Sequence, residues 1–212
     1  MSRLFRGMLD SDSPVILFLT RVFDLMLLNL LALLCAVPVL SAGAALTALY
    51  DCLLRMARQE EQAVLRTFFR SFQSNFRRGT ALFWILVPLS AVLVVAILWA
   101  SVLPGFCQIV VTAVLLVLLL SDLALFLYAF PLLARYENTL PAVIHNALAI
   151  AVTNLPQTAG MLAILFLFAF GAFTLPIEVS APFGALFGVS FPLYLCTKMT
   201  APILFCLEQA QK

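Results

Sequence analysis

Ionisable side chains inside apolar runs are the residues of this chain best placed to do chemistry. A charge in hydrocarbon is costly, so it faces a cavity, a partner or another charge. Arg21 and Asp24 lie three residues apart and Asp51 and Arg55 four apart, so each pair can close within one helix. Asp122 and Lys198 sit deep in their runs with no opposite charge nearby in sequence, and a bond between the two would neutralise both. Asn29 adds a buried amide that needs a partner. Two readings stay open for these groups: mutual neutralisation, or the lining of a translocation path.

Catalytic chemistry finds no residues to carry it. The sequence holds no phosphate-binding Gly-rich loop, no nucleophile elbow, no HExxH and no dinucleotide fingerprint. His145 is the only histidine, and no His, Cys and carboxylate cluster has metal-ligand spacing. Cys35, Cys52, Cys107, Cys196 and Cys206 lack a CxxC pair and read as reduced apolar packing residues. The expectation is a protein that is not an enzyme, with no catalytic, metal or cofactor site.

Arginines form the second concentration of chemistry. Arg55, Arg58, Arg66, Arg70, Arg77 and Arg78 are six of the twelve Lys/Arg residues, and they lie between two apolar runs. Basic loops of this kind stay on the cytoplasmic side. The stretch also has helical periodicity, with Leu65, Phe68, Phe69, Phe72 and Phe76 on one side and Arg66, Arg70, Gln73, Ser74 and Arg77 on the other. Aromatic on one face and cationic on the other predicts an elbow helix, about 62–77, lying in the headgroup plane. Arg66, Phe68, Phe69, Arg70, Phe72, Asn75, Phe76, Arg77 and Arg78 are the expected docking residues for anionic lipid headgroups or an acidic partner. Interleaved phenylalanines make nucleic acid a poor partner.

The elements that must position these groups follow from composition. At 64% hydrophobic and 10% charged, with a mean hydropathy of +1.12, the chain falls far below the roughly 25% charge of a soluble domain. About 20 apolar residues cross a bilayer as a helix. The predicted spans are residues 14–37, 39–57, 81–103, 106–133, 158–177 and 183–207, with a second elbow at 139–155. Ser13-Pro14 reads as a helix start, and Trp84 and Trp99, about 22 Å apart along a helix, suit the two interfacial belts of one span.

The uncertain span is 39–57, which follows Pro38 and carries Ser41, Thr47, Asp51 and Arg55. If it crosses, there are six spans, both termini are cytoplasmic and Arg3 and Arg6 fall inside; if not, there are five. Charge favours six, since the outer loops at 103–105 and 178–182 hold no Lys or Arg. Similarity between Leu53–Glu60 and Pro131–Glu137, each followed by a helical segment and an Asn (Asn75, Asn154), suggests a direct repeat of span, elbow and span. The fold expected is an all-α polytopic membrane bundle with two interfacial elbow helices, in one domain.

The run Pro38-Val39-Leu40-Ser41-Ala42-Gly43, then Ala48-Leu49-Tyr50, Phe68-Phe69, Ser71-Phe72-x-x-Asn75-Phe76 and Phe130-Pro131-Leu132, resembles the YesL-like proteins. These are small polytopic membrane proteins of Gram-positive bacteria. The resemblance runs over most of the chain and is densest between Pro38 and Arg78. It implies association with carbohydrate uptake, since such proteins are typically encoded beside ABC-type sugar importers and glycan-degrading enzymes. It implies no known activity or site. Two functions follow as expectations: an accessory subunit of the bacterial cell membrane bound to a sugar ABC importer's permease, or an autonomous small-solute transporter acting as a homo-oligomer.

Overall fold

Prolines at 38, 104, 156 and 176 stand at or beside helix ends, while those at 88, 131, 182 and 202 lie within helices. The computed structural model describes residues 14–60, 63–102, 104–136 and 139–210, with side chains from 15 to 205 within these ranges. The sequence readings at Arg3, Arg6, Ser13, Leu103, Glu137 and the Cys206 side chain lie outside the described residues.

Helix α1 (Pro14–Ala36) stops just before Pro38, which cannot donate a helical hydrogen bond. A single 3-10 turn, Val39–Ser41, follows, and the Ser41 hydroxyl donates to the carbonyls of Cys35 and Pro38 at 2.5 and 2.8 Å. That bond satisfies backbone acceptors left over at the end of α1. Helix α2 (Ala42–Ala57) then runs back through the bundle.

Helix α3 (Val64–Ala100) is 37 residues long and uninterrupted. This corrects the predicted elbow at 62–77 and separate span at 81–103. At about 1.5 Å per residue it extends roughly 55 Å, against about 30 Å of hydrocarbon. No proline stands between Val64 and Val87, so nothing interrupts the hydrogen-bond ladder at Arg77-Arg78-Gly79. Helix α4 (Phe106–Arg135) starts after Gly105, whose φ of 65° suits glycine.

The second elbow is a separate helix, α5 (Leu140–Thr153), joined at Asn154 to α6 (Leu155–Thr174). Pro156 stands in the first turn of α6, where its missing amide donor is tolerated and its ring disfavours continuation of α5. The two repeat units therefore differ by one proline. Asn75 and Asn154 share a local feature nonetheless: each donates to the carbonyl four residues earlier, at 3.2 and 3.1 Å.

The last apolar run is two helices, α7 (Ile177–Phe187) and α8 (Ser190–Ala210), bent by 50° at Gly188-Val189. The predicted outer loop at 178–182 is thus helical. Pro192 falls in the first turn of α8, where proline is tolerated, so the bend lies ahead of it.

Helix α2 occupies the centre. Together with the preceding turn it makes the segment Val39–Ala57, which is 72% buried over its most apolar stretch, against 11–22% for the other four single-helix spans, although it is the least apolar of these. Gly43, Thr47 and Asp51 need protein around them, whereas the more apolar α3 and α4 can face lipid. Its small residues permit close approach: a Cβ on Gly43 would lie 2.1 Å from the Gly79 carbonyl oxygen of α3. Gly184 and Gly188, a small-xxx-small pair in sequence, instead stand at the α7–α8 bend and mediate no such crossing. Tyr50 stacks on Phe130 with centroids 6.5 Å apart, joining α2 to α4. The described elements are all helical: five are long and apolar enough to cross a membrane, six if the bent α7–α8 pair is one span. The chain is a polytopic helical membrane bundle.

Candidate functional site: a basic cavity and its buried polar neighbours

Repetition at three- and four-residue intervals sets Arg66, Arg70, Gln73, Ser74, Arg77 and Arg78 along one stripe of α3. The stripe lines an open cavity of about 1080 Å³, bounded also by the end of α2 and by Leu133–Tyr136 at the end of α4. Arg55 and Arg135 complete a lining of six arginines, with Asp51 as its only carboxylate among the described residues. Asp51 is engaged, since Arg55 Nε stands 3.1 Å from its Oδ1 as the i,i+4 spacing predicts. Arg55 also reaches Glu60 at 3.6 Å. Among the described residues, Arg66, Arg70, Arg77 and Arg78 form no ion pair.

Aromatic residues on the opposite side of α3 divide. Phe68 is fully buried in the bundle core and packs on Phe72, with centroids 6.4 Å apart. Leu65, Phe69 and Phe76 are exposed. The predicted helix in the headgroup plane is corrected accordingly: α3 stands as an extension of a span, its Phe68 face holding the bundle and its arginine face lining the cavity. Asn75 lines the same cavity.

The intramembrane polar residues do not converge. Asp122 is buried and accepts a hydrogen bond from the Ser90 hydroxyl of α3; Lys198 lies exposed, its ammonium 5.0 Å from the Tyr194 ring centroid. The expected Asp122–Lys198 pair is absent, as is an Arg21–Asp24 ion pair among the described residues. Ser90 gives Asp122 a polar neighbour without moving a second charge into the bundle. Sequence reasoning missed Ser90, whose only signal was its place in an apolar run.

Asn29 is fully buried and finds its partners in the backbone of the α7–α8 bend. Its Nδ2 donates to the Gly184 and Ala185 carbonyls at 3.2 and 2.7 Å. Its Oδ1 accepts from the Val189 and Ser190 amides at 2.9 and 3.0 Å. One side chain thereby supplies what the broken helix lacks, as irregular backbone at membrane depth requires.

Helical spans, a basic cavity at one end and structural use of the buried amide define a polytopic membrane protein of the bundle class. Residues 25–97, from α1 through most of α3, match the family model described as "Protein of unknown function, DUF624", the family that holds the YesL proteins. Comparison with curated proteins and with solved structures returns no match. Within the matched segment, Ser41 closes the end of α1, Gly43 meets Gly79, and Ala48, Leu49 and Tyr50 are core. The residues that carry the YesL-like resemblance are therefore largely determinants of the fold.

Proposed function

We propose that the chain is a non-enzymatic membrane subunit that docks an acidic surface of a partner in its basic cavity. We further propose that this partner is part of a sugar ABC importer whose oligosaccharide uptake the chain supports. The observation that carries the docking is the row of Arg66, Arg70, Arg77 and Arg78 along one cavity, none of them in an ion pair among the described residues, where the one described carboxylate, Asp51, is already engaged by Arg55. Cations lining one cavity repel one another, and an acidic segment or headgroup cluster relieves that repulsion. The sugar importer comes from the YesL-like resemblance. Retention of basic loops on the cytoplasmic side supports a cavity that faces the importer's cytoplasmic surface and, with six spans, N- and C-termini on the cytoplasmic side of the cell membrane.

The autonomous-transporter reading needs Asn29, Asp122 and Lys198 around one path. Asn29 is instead bonded to backbone and Asp122 to Ser90, and Lys198 lies exposed beside the Tyr194 ring, away from both.

The test is purification of the tagged protein from its native membrane in a gentle detergent, with mass spectrometry of what accompanies it. A near-stoichiometric importer subunit is expected, lost on charge reversal at Arg70 and Arg77 while the bundle's melting temperature holds. Recovery of this chain alone, or a partner retained by the reversed variant, would overturn the proposal.

A further inference from the structure

We propose that an anionic phospholipid binds a membrane-facing cleft between α1 and the α7–α8 pair, its phosphate on Arg21 and Lys198 and an acyl chain along the cleft's phenylalanines. The inference stands apart from the basic cavity and does not depend on it.

The register comes from the Asn29 clamp. Asn29 joins α1 to Ser190 at the start of α8. Arg21 lies eight residues before Asn29, and Lys198 lies eight residues after Ser190. Helices passing in opposite directions from that clamp carry both cations about 12 Å along the same side of the bundle. They do meet there, since Arg21 and Lys198 line one cleft of about 380 Å³. Sequence distance between them conceals this.

Among the described residues the cleft offers the cations no counter-charge. Its remaining lining is Phe18, Val22, Leu25, three phenylalanines of the bent pair and Tyr194, with no carboxylate. Neither cation forms an ion pair among the described residues. Lys198 is held over the face of Tyr194, a cation–π contact that orients the ammonium without neutralising it. Two cations at membrane depth call for an anion. Apolar walls exclude a hydrated one, whereas an amphiphile satisfies both halves of the site. Phe18 and Phe183 are 69% and 48% exposed, so the walls open toward the acyl chains. Basic pockets between membrane helices take anionic headgroups for this reason.

The test titrates delipidated protein in detergent with phosphatidylglycerol or phosphatidylcholine, read by native mass spectrometry. Wild type is expected to bind phosphatidylglycerol at least tenfold tighter. Arg21→Gln with Lys198→Gln is expected to weaken it about thirtyfold, the combined pull of two basic side chains on one headgroup. Arg21→Lys with Lys198→Arg keeps the charges and should keep the binding. Lys198→Gln alone, at an exposed side chain that leaves the core untouched, should cost about fivefold. Glycerol phosphate, which has the head without the tails, should not bind. Unchanged phosphatidylglycerol binding in both glutamine variants, an equal loss in Arg66→Gln with Arg70→Gln, or equally tight glycerol phosphate would overturn the site.

Discussion

Replacing Asn29 with leucine, a side chain of similar volume, isolates what the clamp contributes. The Gly184 carbonyl keeps its bond from the Gly188 amide at 2.9 Å. The Val189 and Ser190 amides and the Ala185 carbonyl lose the Asn29 bonds. At roughly 1 kcal/mol for each stranded backbone group the cost is about 3 kcal/mol. Valuing the four bonds at about 0.6 kcal/mol each, as for membrane helices, gives about 2.4 kcal/mol. Thermal unfolding in detergent should therefore show a loss of about 2–3 kcal/mol, and hydrogen exchange should show faster exchange at residues 189 and 190. Because Asn29 also sets the register of Arg21 against Lys198, phosphatidylglycerol binding should weaken in the same variant. Unchanged exchange at both amides, with stability within about 0.5 kcal/mol of wild type, would refute the reasoning.

Two further outcomes test the packing. Phe68→Ala should cost about 3–5 kcal/mol by opening a cavity in the core, whereas Phe69→Ala, at a side chain 46% exposed, should stay within about 0.5 kcal/mol; comparable losses would mean that both serve one docking face. Gly43→Ala should lower the melting temperature and the yield of folded protein, by about 2 kcal/mol or more, because the obstructing Gly79 oxygen is backbone and cannot rotate away; an unaffected melting curve would show that α2 and α3 are not in close contact.

Helix existence was legible in the sequence because apolar length and proline position are local properties. Residues 14–37 and 106–133 correspond closely to Pro14–Ala36 and Phe106–Arg135. The elbow at 62–77 was misjudged because amphipathic periodicity does not say whether a helix continues. One local difference separates the units: Pro156 stands at the start of α6, and the first unit has no proline at the matching place, although α3 and α4 run on through Pro88 and Pro131. Residues 39–57 form the most buried membrane-length helix, and the count turns instead on the bent final pair.

Polar partners were legible only within one helix. Asp51 and Arg55 pair at the spacing sequence suggests. Asn29 with residues 184–190, Asp122 with Ser90, and Arg21 beside Lys198 are tertiary relations between residues far apart in the chain, and opposite charge was a misleading guide to them. The arginine stripe was visible as a stripe; that it faces a cavity depends on where α2 and α4 end.

Docking in the basic cavity is tested most directly by a photo-crosslinking residue at position 73, where Gln73 lines the cavity between Arg70 and Arg77. In the native membrane a single crosslink to a permease or ATPase subunit of a sugar importer is expected, abolished by charge reversal at Arg70 and Arg77. Crosslinks to lipid alone, or a protein crosslink indifferent to that reversal, would contradict the account.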